Sequence, residues 1–169
     1  MHLIIDGYNL LHVGQSPVQM TSEDLERRRD RLIEGLAWYR QMRPCNITVV
    51  FDGWQGGWAT ERKEKRRGMD ILFSRLGETA DEVIRRLVKE KGSGVVVVTS
   101  DREISRYAEK LSVPVIPSDR FRERIAGAVP NHEKDAADSE EEERGLRKKG
   151  PSRRPSKKEK RLQAALKKL

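Results

Sequence analysis

Four aspartates stand where this chain passes from one structural element to the next: Asp6, Asp52, Asp81 and Asp101. Asp6 closes the apolar run Leu3-Ile4-Ile5, Asp52 follows Val49-Val50-Phe51, and Asp101 comes shortly after Val95-Val96-Val97-Val98. Asp81 sits in the first turn of an expected helix. In a parallel sheet the strand ends face one way, and so do the N-termini of the helices that follow them. The four carboxylates can therefore gather at one edge, where open α/β sheets bind ligands. Crowded and unpaired, they would repel and raise one another's pKa, a conflict that a divalent cation removes. Oxygen donors without a His or Cys cluster select Mg2+ or Mn2+ over zinc. Such an ion can activate water and stabilise charge on a phosphodiester oxygen. Each aspartate alone has an ordinary explanation as a helix or turn cap; the argument for a metal site is the set of four at corresponding ends.

Other residues fit around that set. Asn9 lies three residues after Asp6, and its amide can position a bound water or a carboxylate. Ser100 can orient Asp101 or meet a phosphate. Gly7 and Gly53 allow tight turns and close backbone approach. The basic run Arg62, Lys63, Lys65, Arg66 and Arg67 follows the Asp52 strand in what reads as a loop, and can meet RNA phosphates. Trp54, Trp58 and Tyr8 can stack bases. The plain alternatives are a solvated loop and aromatic packing.

The elements that position these residues alternate between strand and helix. Residues 2–5 read as a first strand, followed by a loop through Pro17. Thr21 caps a helix with Leu25, Leu32, Ile33, Leu36 and Tyr39 on its buried stripe, running to about Met42; Arg27, Arg28, Arg29 and Arg31 fall mostly on its solvated face. Residues 46–51 form a second buried strand, rich in β-branched residues. Residues 69–73 form a third, nearer an edge because Asp70 interrupts it. Thr79 and Glu82 make a capping box for a helix ending near Gly92. Residues 95–98 are a fully buried strand, typical of the centre of a parallel sheet. A helix from about Arg102 to Leu111, a strand at 113–116 and a helix capped by Ser118 complete the pattern. The expected fold is α/β: three layers, α/β/α, with a mainly parallel central sheet.

Of the 169 residues, 36% are hydrophobic and 37% charged, a low apolar share that predicts an unpacked portion. The net charge of +8 is uneven. Residues 144–169 carry +11, leaving −3 for the rest. A near-neutral domain with a strongly basic extension suits a polyanionic partner, nucleic acid first. The expected organisation is a domain over 1–128, a disordered charged linker over 129–155, and a basic amphipathic helix or tail over 156–169 with Leu162, Leu166 and Leu169 on one face. No apolar run approaches the ~20 residues of a membrane span, and no signal peptide is visible, so no membrane partner and a cytoplasmic location are expected. The single cysteine, Cys45, precedes a strand and reads as packing. No organic cofactor is expected: Gly92-Ser93-Gly94 precedes its strand, whereas a phosphate-cradling loop must follow one.

Together, Ile4-Ile5-Asp6-Gly7-Tyr8-Asn9, Val49-Val50-Phe51-Asp52-Gly53, Glu78-Thr79-Ala80-Asp81-Glu82 and Thr99-Ser100-Asp101 closely resemble the YacP-like NYN domains, a branch of the PIN-like nucleases. The resemblance covers about Met1 to Ala128. It implies a PIN-like fold and a metal-dependent endoribonuclease, with Asp6, Asp52, Asp81 and Asp101 at the metal centre and Asn9 beside them. Some members of that family are linked to ribosomes and mRNA decay, which would suit the basic tail. Two other readings stay open. One is a non-catalytic RNA- or ribosome-binding module on a nuclease-like fold. The other is a phosphatase of the haloacid dehalogenase type, disfavoured because Tyr8 occupies the position where those enzymes place a second acid.

Overall fold

The structure is a computed structural model and describes residues 1–14, 21–53 and 59–128. The expected linker and C-terminal helix, and both Trp54 and Trp58, lie outside the described residues. The elements run β1 (His2–Asp6), α1 (Gly7–Leu11), α2 (Ser22–Met42), β2 (Asn46–Phe51), β3 (Arg62–Arg66), β4 (Met69–Phe73), α3 (Ala80–Lys91), β5 (Val95–Val98), α4 (Arg102–Lys110), β6 (Val115–Ile116) and α5 (Ser118–Ala128).

Six strands form one sheet in the order β3-β4-β2-β1-β5-β6, parallel throughout except for β3. The period of two in a strand sends alternate side chains to opposite faces. Leu3, Ile5, Val49, Phe51 and Ile71 therefore pack with Ile33, Leu36 and Tyr39 of α2 and with Phe121 and Ile125 of α5. Ile4, Val50, Leu72 and Val97 pack with Val83, Ile84 and Leu87 of α3 and with Ile104 and Ala108 of α4. Two apolar clusters on one sheet make the three layers.

Helix starts follow the capping chemistry of the sequence. Thr79 accepts the Glu82 N–H, and the Glu82 side chain accepts the Thr79 N–H, closing the expected box. Thr21 and Asp24 form a second box at the head of α2. Among the described residues no helix is long and apolar enough to cross a membrane.

Two segments read as loops are regular. Residues 7–11 form α1, too short for a periodic pattern. Asp6 caps it by accepting the Asn9 N–H at 3.1 Å, and Arg122 of α5 donates to the Leu10 and Leu11 carbonyls at its other end. A local cap at one end and long-range bonds from α5 at the other hold this short turn of helix. The basic run is β3, an antiparallel edge strand on β4 that turns through Arg67 (φ 51°) and Gly68 (φ 75°). Two positive φ values suit a type I′ hairpin, whose sequence signature is normally Asn-Gly or Asp-Gly. An arginine in that place conceals it. Charged edge strands resist pairing with other chains, and β4, taken to lie near an edge, stands one strand inside it.

Candidate active site

The sheet reverses direction beside β1: the chain moves outward through β2 to β4, then crosses to β5 on the other side. At that switch point lies a cavity of about 600 Å³ lined by Asp6, Tyr8, Asn9, His12, Val13, Asp81, Ser100, Asp101 and Asp119. The topology thus brings together residues far apart in the chain at the carboxyl ends of β1 and β5, where α/β folds bind ligands.

Asp6 is the most enclosed of the acids, 8% exposed. Its Oδ1 accepts the Asn9 N–H, and its Oδ2 accepts the Thr99 hydroxyl at 3.0 Å. Burial pushes its pKa up to about 6, against those two bonds, and the charges of Asp81 and Asp101 push the same way. Asp81, in the first turn of α3, is also raised, first by burial and then by Asp101, with Asp52 a smaller contributor. Asp101 caps α4: its Oδ1 accepts the N–H groups of Glu103 at 2.7 Å and Ile104 at 2.9 Å. The capping explanation therefore holds for both Asp6 and Asp101, and neither role removes the carboxylate from the cavity.

Asp52 stands apart. It directly follows β2, and its Oδ1 accepts the Ser74 hydroxyl at 3.0 Å. It does not line the cavity, and it reaches the site as a charge acting on Asp81. Ser74 Oγ also accepts the Gly53 N–H at 3.0 Å. Three of the four expected acids thus share one cavity, and an unexpected one, Asp119 in the first turn of α5, joins them. Among the described residues no three acid, histidine or cysteine side chains stand close enough to form a direct metal cage.

Asn9 fastens the site together. Its Oδ1 accepts the Ser100 N–H at 2.8 Å and the Ser118 hydroxyl at 2.7 Å. Both partners are donors, so the amide oxygen is fixed and the NH2 remains as the donor for the cavity. Ser100 accepts the Ser118 N–H through its hydroxyl, tying the end of β5 to the start of α5 instead of orienting Asp101. That orienting role belongs to Thr99, whose hydroxyl donates to Asp6 and accepts the Asp101 N–H at 3.0 Å. A Thr beside a strand-end acid was the available signal for it. Thr99→Val keeps the shape and removes both bonds. It should cost about 2 kcal/mol, the range for unpairing a buried charged acceptor, measured by urea unfolding, while Thr99→Ser retains most of the stability.

The basic run is divided by its own strand. Arg62 and Lys63 pair with Phe73 and Leu72, at the carboxyl end of β4 and so toward the site edge, whereas Arg66 pairs with Met69 at the opposite end. Strand rise places these ends ~14 Å apart. Arg62 pairs with Glu64, Lys63 with Asp70, Arg66 with Asp30 and Arg67 with Glu34. The run is not one patch beside the acids.

Comparison with known proteins agrees with this architecture. A crystal structure of Rae1 (YacP) from Bacillus subtilis superposes with a TM-score of 0.62 at 21% identity, covering 81% of this chain and 80% of that one. A mutant of the same protein gives 0.61 at 22% identity, covering 82% and 86%. Both likenesses are of fold. A Bacillus subtilis (strain 168) relative, "Uncharacterized protein YacP", is 29% identical over 102 residues, a match spanning 59% of each chain. The model of the YacP-like NYN domain matches residues 3–167, nearly the whole sequence and most of its basic tail. The chain belongs to the YacP-like NYN domain family.

Proposed function

We propose that this protein is a metal-dependent endoribonuclease that hydrolyses phosphodiester bonds of single-stranded RNA. The observation that carries the reading is the meeting of Asp6, Asp81 and Asp101, with Asn9, on one cavity at the switch point of the sheet. Membership of a nuclease-type family supports it.

The donor set suits Mg2+ or Mn2+. The candidate ligands are hard oxygens, and two of the acids carry a raised pKa that a neighbouring cation reverses. Mg2+ keeps several waters and uses one or two carboxylates plus substrate phosphates, so the absence of a closed three-ligand cage is compatible with it. Asp6, Asp81 and Asp101 would hold the ion, in part through its bound waters. When bound, it supplies charge stabilisation on the phosphodiester and a lowered pKa for the attacking water. The chain's own residues do the rest. Thr99 and the Asn9 N–H hold both oxygens of Asp6, Asp101 is fixed by the first turn of α4, and the Asn9 NH2 offers a donor to a phosphate or water. Asp52 adds negative charge from outside the lining.

Arg62 and Lys63 meet RNA phosphates from the near end of β3, with Ser100 at the cavity itself; Lys65, Arg66 and Arg67 engage the strand farther along. The ion pairs of Arg62, Lys63, Arg66 and Arg67 reach solvent, and pairs of that kind are worth only ~0–1 kcal/mol, so phosphates can displace them. The net +11 of residues 144–169 adds sequence-independent affinity and suits an RNA target on the ribosome. Deleting those residues should weaken RNA binding and flatten its dependence on salt, read from Kd measured at several ionic strengths.

The reading is tested by incubating labelled single-stranded RNA with the wild type and with Asp81→Asn, in Mn2+ and in EDTA. Cleavage is expected only for the wild type with Mn2+. Full cleavage in EDTA or by Asp81→Asn overturns it. Metal-insensitive RNA binding without any cleavage would favour the non-catalytic module.

A further inference from the structure

Tyr8, a candidate to stack a base, packs its ring against two aromatic neighbours. The ring meets Phe51 edge-on, with centroids 5.2 Å apart at 67°, and lies nearly parallel to His12, at 6.1 Å and 24°. Both separations fall within the range of favourable aromatic pairs. The three rings form a row from buried Phe51 through half-buried Tyr8 to exposed His12. Tyr8 and His12 both line the cavity with Asp6 and Asn9, and His12 is the exposed end of the row.

The row is rigidly based. Phe51 is fully buried and stacks on Phe73 at 5.6 Å. A methyl group on Gly7 would lie 2.4 Å from the Phe51 ring, so the start of α1 is pressed directly against it. The His12 N–H donates to the Tyr8 carbonyl at 3.0 Å, fixing the backbone at the end of α1. Among the described residues, no hydrogen bond or ion pair engages the imidazole. Burial first, then the Arg28 charge, holds its pKa below the usual histidine value, so the ring is neutral at pH 7.

We propose that His12 is the platform on which a nucleobase of the RNA substrate stacks, one side of it backed by Tyr8 and the other open to the cavity. The identity of the substrate rests on the nuclease reading above; the stacking surface does not. Every base has a π-face, so such a platform binds with little sequence preference. It also sets the register of the strand, placing the adjoining phosphate toward Asp6, Asp81 and Asp101. His12 acts here by shape and polarisability, not by proton transfer.

The test is equilibrium binding of a fluorescent single-stranded RNA oligomer to the full chain in EDTA, where the metal plays no part. His12→Ala should weaken binding about tenfold, the usual size of one lost base stack. His12→Phe, which cannot titrate, should restore it to near wild type. An oligomer series with one abasic position each should contain a member that loses affinity for the wild type and loses nothing further with His12→Ala. With Mn2+ present, His12→Ala should lower kcat/KM by at least the loss seen in binding, and His12→Phe should again restore the wild-type value. Unchanged binding by His12→Ala, failure of His12→Phe to restore it, or indifference to every abasic position overturns the proposal. A protein that passes these binding tests and never cuts RNA would sink the nuclease reading alone. One that cuts RNA and is indifferent to His12 would sink the platform alone.

Discussion

Asp6→Asn should make the metal-free protein more stable and the enzyme inactive. Burial and two neighbouring carboxylates lift the Asp6 pKa from 3.8 to about 6. A raised acid pKa means that the folded chain holds a proton the unfolded chain has lost, between about pH 4 and pH 6. Stability from this group is therefore present at acid pH and falls as pH rises through that window. At pH 7 the deprotonated carboxylate costs the fold about 3 kcal/mol. An amide of the same shape carries no such charge, still accepts the Asn9 N–H, and offers its NH2 to Thr99. Part of the cost is thus relieved, and the Tm of the metal-free variant should rise by roughly 5 °C. The wild type should melt lower at pH 7 than at pH 5 from this group's titration, and Asp6→Asn should lack that decline. Added Mn2+ should stabilise the wild type by mass action and the variant less at the same concentration. Cleavage should fall by more than ~10²-fold, beyond the usual effect of losing a supporting partner. Differential scanning fluorimetry across pH, with and without Mn2+, reads the stability arm; an RNA cleavage assay reads the other. A lower Tm for Asp6→Asn at pH 7 would show that its carboxylate is better served than its surroundings suggest.

Gly53→Ala should have the largest effect on folding. A Cβ at this position would lie 2.0 Å from the Ser74 carbonyl oxygen, a backbone atom with no freedom to swing away. That carbonyl belongs to a residue bonded twice to the same turn: the Ser74 N–H donates to the Phe51 carbonyl at 3.0 Å, and its hydroxyl accepts the Gly53 N–H. Separating the two segments breaks both bonds and moves Asp52, which Ser74 also holds. Overpacking of this kind costs about 3 kcal/mol, or a fall in Tm of roughly 10 °C. Gly53→Ser should do no better, because the clash is with its Cβ. A thermal melt of Gly53→Ala that matches the wild type would mean that the Ser74 strand end yields more readily than its bonding implies.

The parts of the fold legible in the sequence were those specified by local chemistry. Val95-Val96-Val97-Val98 needs no partner to announce a buried strand, and the Thr79 box with Glu82 defines a helix start within four residues. The parts that were not legible depend on contacts across the chain. Residues 7–11 become helical because Asp6 caps one end and Arg122, from α5, reaches the other. The strand β3 closes through Arg67-Gly68, where arginine takes a left-handed conformation that sequence patterns reserve for Asn, Asp or Gly. The site divides in the same way. The positions of Asp6, Asp81 and Asp101 follow from strand ends and a helix start. The partners that fix Asp6 and Asn9 do not: Thr99 meets Asp6 and Ser118 meets Asn9 only once the sheet has formed. Asp119 follows a two-residue strand with little apolar signature, so strand-end patterns do not reveal it. Strand position alone puts Asp52 at the same edge as the cavity acids, and its bond to Ser74 spans a hairpin that sequence patterns conceal.

The same geometry explains why a stable fold tolerates an expensive centre. The sheet is buried on both faces, so several kcal/mol of electrostatic conflict at one edge can persist without unfolding the domain. A conflict of that kind is a recurring mark of functional sites.

The central claim is that Asp6, Asp81 and Asp101 act jointly on one cation. The most direct measurement is a Mn2+ titration of the full chain at pH 7, followed by the electron paramagnetic resonance signal of the free ion, for the wild type and for each of Asp6→Asn, Asp81→Asn and Asp101→Asn. Saturable binding by the wild type, weakened ~10-fold or more in all three variants, is the predicted result. Binding of equal strength in the wild type and the three variants, or no saturable binding by the wild type at all, would contradict it.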